Sequence, residues 1–178
     1  MTSVNRTLDK DIVAACKRVG ERLSCRKFEI NLAIAENDDL SLVSSNWEYL
    51  WCDYYSETKQ DPNSFIVTLR SADLICGFVR ISLSKSNSQS LELDRVEGNP
   101  DIFHPLKGKV LACFAEFSLE VCKERNLEML DIIDPSIGTV EKCERLGFDV
   151  FVDNEDENHE ALLLVTKNTK LNLKSFQM

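Results

Sequence analysis

The sequence predicts an α/β domain: a mixed, twisted central sheet flanked by helices. Three observations carry this. Leu91–Ile133 reads as strand, helix and strand, and two strands joined by a helical crossover lie parallel. Phe65–Arg70 and Leu74–Ser84 read as strands separated only by Ser71-Ala72-Asp73, a connection that makes an antiparallel hairpin. Helical and strand periodicities alternate along the chain with no repeat, low-complexity tract or linker. At 178 residues the chain suits one domain, 1–178, in which 1–27 is a helical extension and 166–178 a polar tail that frays.

Each element has a local reason. Residues 9–25 form a helix, with Ile12, Cys16, Val19 and Leu23 at helical spacing. Phe28–Ala35 alternates as a strand with Phe28, Ile30, Leu32 and Ile34 on one face. Glu36-Asn37-Asp38-Asp39 is a turn and helix start. From Leu40 to about Glu57 the spacing of Val43, Trp47, Leu50, Trp51 and Tyr54 reads as one helix. All five Trp and Tyr residues lie within Trp47–Tyr55. Rings there either pin a helix to the core or, as Trp47, Trp51 and Tyr54, line a substrate or acyl pocket.

Asp61-Pro62-Asn63 turns the chain into the hairpin, whose Gly77 signals a bulge or a close backbone approach. Leu91–Val96 alternates, with Leu91, Leu93 and Arg95 on one side and Glu92, Asp94 and Val96 on the other. The next helix carries Val110, Phe114, Phe117 and Val121 on one face and stops at Asn126. Leu127–Ile133 is a strand. Asp134 and Pro135 then suit a cap and first helical position, and that helix ends at Gly147. Strands at Phe148–Val152 and Glu160–Val165 flank an acidic turn, Asp153–Asn158.

Composition narrows the function classes. Net charge is −9, from 21 basic and 30 acidic residues, which argues against a non-specific nucleic-acid binder. It is compatible with a cationic acceptor such as an amine. No apolar run approaches a membrane span, and the N-terminus lacks the apolar core of a signal peptide. Seven cysteines without a C-x-x-C pair, together with only two histidines, argue against zinc and for reduced thiols in the cytoplasm.

Lys107-Gly108-Lys109 before the central helix is a candidate anion site, because first-turn N–H groups and the helix dipole favour a phosphate by about 0.3–1 kcal/mol. An ordinary buried helix with a solvated basic lead-in explains the same residues. Over Phe28–Val165 the order of elements and the local sequences resemble the GNAT superfamily of N-acetyltransferases. Lys107-Gly108-Lys109-Val110-Leu111-Ala112 stands where that superfamily has its (Gln/Arg)-x-x-Gly-x-(Gly/Ala) acyl-CoA loop. Thr139–Phe148 resembles its A-I-x-L-Y-x-x-x-G-F segment, and Cys76–Arg80 its usual third strand.

The resemblance implies transfer of an acyl group, acetyl first, from acetyl-CoA to a small-molecule or protein amine, with no metal. It places the coenzyme on Lys107, Gly108, Lys109, Val110, Leu111 and Ala112. Glu92 or Asp94 would serve as general base, against the alternative of a solvated strand face. Cys143 would serve as acid, where the family carries Tyr; a buried structural thiol is the alternative. Val110 replaces the first motif glycine; a β-branched residue does not readily take φ > 0, and it narrows the approach of a diphosphate to the backbone. His104 could move a proton beside the loop. Val110 and Cys143 equally suit a GNAT-like module that binds or regulates without catalysis. A transferase fed by an acyl carrier protein is a third reading, and it would want a basic docking face.

Overall fold

The computed structural model describes residues 3–24, 29–43, 45–87, 89–152 and 159–176. The chain runs through α1 (Ser3–Leu23), β1 (Ile30–Ile34), α2 (Asn37–Ser41), α3 (Trp51–Thr58), β2 (Ser64–Ser71), β3 (Leu74–Leu83) and β4 (Ser90–Gly98). It continues through α4 (Val110–Arg125), β5 (Met129–Ile133), α5 (Ile137–Leu146), β6 (Asp149–Val152) and β7 (His159–Leu164) to a 3-10 turn at Leu173–Phe176. The strands form one mixed sheet in the order β1-β2-β3-β4-β5-β7-β6. Only β4 and β5 pair parallel, with α4 as their crossover, and the other pairs are antiparallel. The fold class read from sequence is the one observed. Phe28 and the turn Asp153–Asn158 lie outside the described residues.

Two cores sit on opposite faces of the sheet. The larger packs α1, α4 and α5 on Val79, Ile81, Leu91, Leu93, Leu130 and Ile132. The smaller packs Trp47, Trp51 and Leu40 on Ile66, Ile75 and Phe78. Helix α4 buries far more than the one face its spacing suggests, because α1 covers it as well as the sheet. Arg18 and Arg22 of α1 pair with Glu116, Glu120 and Glu124 of α4, and Arg125 pairs with Asp11. A helix buried on two sides needs apolar residues nearly all round, which Ala112, Cys113, Ala115, Leu119 and Cys122 provide.

Four expectations are corrected. The helix read over Leu40–Glu57 is two helices, α2 and α3, joined by a loop that contains Trp47 and Tyr49. The N-cap position of α5 is Ser136 rather than Asp134, without a side-chain cap hydrogen bond, so Pro135 precedes the cap instead of opening the helix, and Asp134 holds φ 48° at the end of β5. The segment after Thr166 is held down: Leu171 is buried, Asn172 N–H donates to Leu146 O at 3.1 Å, and Lys123 Nζ reaches Thr169 O at 2.5 Å. Arg95 does not share a face with Leu91 and Leu93. The β3–β4 register passes from Arg80↔Arg95 to Ile81↔Leu93, which makes Asp94 an extra residue in a bulge. Val96 joins the larger core, while Arg95 lies over the rings of Tyr49 and Tyr54 on the other face.

Gly77 has both features anticipated for it. The β2–β3 register slips beside it, and Val110 comes close over it. A Cβ on Gly77 would lie 2.7 Å from Val110 Cγ1 and 2.8 Å from the Glu97 carbonyl oxygen. Gly98, its partner across the ladder, is covered by Val110 Cγ2. The two glycines make the floor on which α4 begins. Gly77→Ala is expected to cost about 1–3 kcal/mol in urea unfolding through overpacking. Adding Val110→Ala should not restore it, because the backbone contact with Glu97 remains; full restoration would contradict this account.

Candidate active site

The parallel ladder of β4 and β5 runs from Ser90↔Met129 to Leu93↔Ile132 and ends there, at the Asp94 bulge. Beyond it β4 follows β3 and leaves β5. A groove of about 450 Å³ opens between them, walled by Asp94–Gly98, Ile132–Ser136, Leu111, Thr139, Glu48 and Tyr49. Val96, Gly98, Leu111 and Thr139 also line a second cavity of about 250 Å³ at the start of α4, so the two adjoin. That second cavity is lined further by Asn99, Pro100, His104, Lys107, Gly108, Val110 and Lys142. It carries two lysines and no carboxylate, in a chain with 30 acidic residues.

The lead-in to α4 builds this cavity. Lys107 N–H donates to His104 O at 3.2 Å and Lys109 N–H to Leu106 O at 2.9 Å, while Gly108 turns at φ 76°. No side chain caps the first turn of α4. Val110 is helical and has no positive φ, so position 110 does not require the backbone freedom of glycine. Its side chain packs down onto Gly77 and Gly98. The expected obstruction through φ at Val110 is thereby removed. Of the six residues placed on the coenzyme, Lys107, Gly108, Val110 and Leu111 line the cavity; Lys109 and Ala112 are not among its lining residues.

The two candidate bases separate. Asp94 lines the groove and also an adjoining cavity of about 300 Å³ that it shares with Glu92, Asp61, Arg80, Ser82 and Lys85. Glu92 lines only the latter. Asp94 Oδ2 lies 3.5 Å from Arg80 Nε, and its Oδ1 is buried without a hydrogen-bond partner. Burial raises the Asp94 carboxyl above its ordinary pKa, against the opposing pull of Arg80 and Arg95. Such a group sits nearer the range useful to a general base at neutral pH.

Cys143 is fully buried in the larger core, is not among the groove-lining residues, and has its pKa pushed up to about 11 by burial. Trp47 and Trp51 are core residues, each with its ring centroid 5.2 Å from that of Phe78. Tyr54 accepts a hydrogen bond from Arg95 Nε at 3.3 Å and stays outside the groove lining. The ring that does line it is Tyr49. Glu97 sets Tyr49 in place: its carboxylate accepts Glu48 N–H at 2.6 Å, Tyr49 N–H at 3.2 Å and Trp51 Nε1–H at 2.7 Å. Sequence reasoning missed Tyr49, Ser136, Thr139 and Lys142. For Tyr49 a signal existed, since Ser44-Ser45-Asn46 is a breaker in the supposed helix.

Among the described residues no helix is long and apolar enough to cross a membrane, and no three metal-ligating side chains cluster. No family model and no curated relative match the sequence. Solved structures do. A GNAT-family acetyltransferase structure from Desulfovibrio desulfuricans superposes with a TM-score of 0.59 at 16% identity, over 77% of this chain and 99% of that one. The Escherichia coli ribosomal-protein-S18-alanine N-acetyltransferase gives 0.54 at 13% identity, over 79% and 98%. A Bacillus subtilis acetyltransferase in complex with CoA gives 0.52 at 15% identity, over 79% and 100%. The chain has the GNAT fold, as its motifs suggested.

Two measurements test the electrostatics and the anchoring. Asp131 on β5 is 6% exposed, hydrogen-bonds Ser90, and has its carboxyl pKa raised by burial and by Glu160 and Glu92. The folded chain therefore binds that proton more tightly than the unfolded chain, and stability falls as pH rises from the ordinary carboxylate range through the raised pKa. Asp131→Asn should melt about 2–4 °C higher than the wild type at pH 7.5, with the gap closing toward pH 4. A gap that widens at pH 4 contradicts the assignment. Glu97→Ala orphans three N–H donors and should cost about 1–3 kcal/mol in urea unfolding, with a change in tryptophan fluorescence from Trp51; unchanged stability and fluorescence would contradict the anchoring role.

Proposed function

We propose that the protein is an acyl-CoA-dependent N-acyltransferase that transfers acetyl to an amine, acting in the cytoplasm. The observation that carries this reading is that the β4–β5 groove adjoins the carboxylate-free cavity at the start of α4 across four shared lining residues. A long ligand with a diphosphate at one end and an uncharged arm needs such a path. The backbone of Val110–Ala112 with Lys107 and Lys142 would hold the phosphates as first-turn amides and point charges. The arm would lie between β4 and β5, whose backbone groups past Leu93 and Ile132 are released from the ladder.

Acyl-CoA supplies an activated thioester. The amine nitrogen forms the new bond to its carbonyl carbon while the carbon–sulfur bond breaks, and the thiolate leaves. The amine gives up one proton and the sulfur takes one. Asp94, at the junction of the groove and the adjoining cavity, is the base assigned to the first transfer, directly or through water. Tyr49 is the phenol lining the groove and the donor assigned to the second. We assign Cys143 a packing role. Backbone N–H groups of the released strand would stabilise the charge developing on the carbonyl oxygen.

A binding module without catalysis is the second reading, favoured by the burial of Cys143, which removes the α5 thiol as a proton donor for the groove. Calorimetric titration with acetyl-CoA, followed by thiol release against a panel of amines, separates the two. The transferase reading expects saturable micromolar binding and turnover. It also expects Asp94→Asn to lower kcat by about 100-fold or more with little change in acetyl-CoA affinity. Lys107→Ala with Lys142→Ala should weaken that affinity by about tenfold or more. Binding without turnover on any amine favours the module, and no binding at millimolar acetyl-CoA overturns the transferase reading in favour of a module that does not use the coenzyme.

A further inference from the structure

His104 is unexplained by the roles assigned above. It is 5% exposed, yet it belongs to the lining of the cavity at the start of α4. Its Nδ1 is buried with no hydrogen-bond partner. Buried polar atoms nearly always have partners, so an unpartnered ring nitrogen on a residue that lines a cavity marks a bond left to be made. The uncapped first turn of α4 points its positive end at the same cavity.

The charges around the ring share one sign with a single exception. Lys107 and Lys109 follow it on its own loop, and Lys142 faces it from α5. The strand residues of the lining, Val96 and Gly98, carry no charge. Asp101 is the nearby carboxylate, and it is engaged locally, accepting Phe103 N–H at 2.8 Å. Burial and then Lys107 lower the imidazole pKa, with Asp101 opposing, so the ring is neutral at pH 7 while no anion is bound. A dianionic diphosphate in the cavity reverses the local sign and offers the acceptor that Nδ1 lacks.

Resting on the acyl-CoA reading, we propose that His104 is a ligand-binding residue: it takes up one proton from solvent as the coenzyme diphosphate enters and holds a diphosphate oxygen through a charged N–H. Coenzyme binding is then coupled to proton uptake.

The test is calorimetric titration of the full chain with 3′-dephospho-CoA, which keeps the diphosphate but lacks the titrating phosphomonoester. Buffers of different ionisation enthalpy count the protons. The wild type is expected to take up close to one proton per ligand, with Kd weakening about tenfold from pH 7 to pH 8. His104→Gln keeps an N–H donor but cannot be charged; it should bind with no proton uptake and a flat pH profile. Saturable binding by the wild type without proton uptake overturns the role of His104 and leaves the acyl-CoA reading standing, and this number needs no variant. The same uptake in His104→Gln overturns it too. No saturable binding by the wild type overturns both.

Discussion

The architecture of the site depends on one register slip. While Asp94 bulges from β4, the strand cannot keep pairing with both neighbours, and it keeps β3. The backbone groups of β4 and β5 that would have bonded each other are turned toward a groove. The same slip brings Asp94 and Arg95 onto one face, beside Arg80, Tyr49 and Tyr54. One extra residue therefore opens the cleft, delivers a carboxylate to its edge and sets the cation that stacks on its aromatic wall. A substitution could do any one of these; a bulge does all three because it changes the phase of everything downstream.

Around this opening the molecule is firmly braced. The start of α4 rests on two glycines, its later turns are clamped by α1, and its end is closed by Asn126 in a left-handed conformation at φ 54°. On the opposite face, Glu97 ties the aromatic loop to β4 by three hydrogen bonds. Both walls of the groove are thus fixed to the strand that opens it. Such pre-organisation suits the transfer proposed above, where misplacement of reacting groups by an ångström is costly.

Much of this was legible in the chain. The alternation of Ile30 and Leu32, the hairpin around Ser71–Asp73, the Asn126 and Gly147 stops and the crossover of Leu91–Ile133 depend on local periodicity and turn chemistry, which sequence records directly. The bulge was read past. LELDRV alternates as far as Leu93 and then slips by one, with Asp94 and Arg95 both polar before Val96, but the slip becomes an extra residue only against the β3 partner across the ladder. The aromatic segment misled because Trp47, Trp51 and Tyr54 fall at helical spacing, although only Trp51 and Tyr54 belong to a helix; Trp47 reaches Phe78 from the loop before it, and Trp51 from the first turn of α3. Alignment to a motif gave Cys143 its place in the chain but not its direction; the helix face that carries it also carries Leu146 into the core.

The pairing of Gly77, Gly98 and Val110 also bears on which residues this junction can carry. A Cβ on Gly98 meets little besides Val110, at 3.3 Å, whereas a Cβ on Gly77 meets main chain as well. Positions 98 and 110 can therefore exchange volume, one growing as the other shrinks, while position 77 is locked whatever 110 carries. In chains that share this fold the first residue of α4 and the last residue of β4 should covary, and Val110 over Gly98 is one solution of that trade.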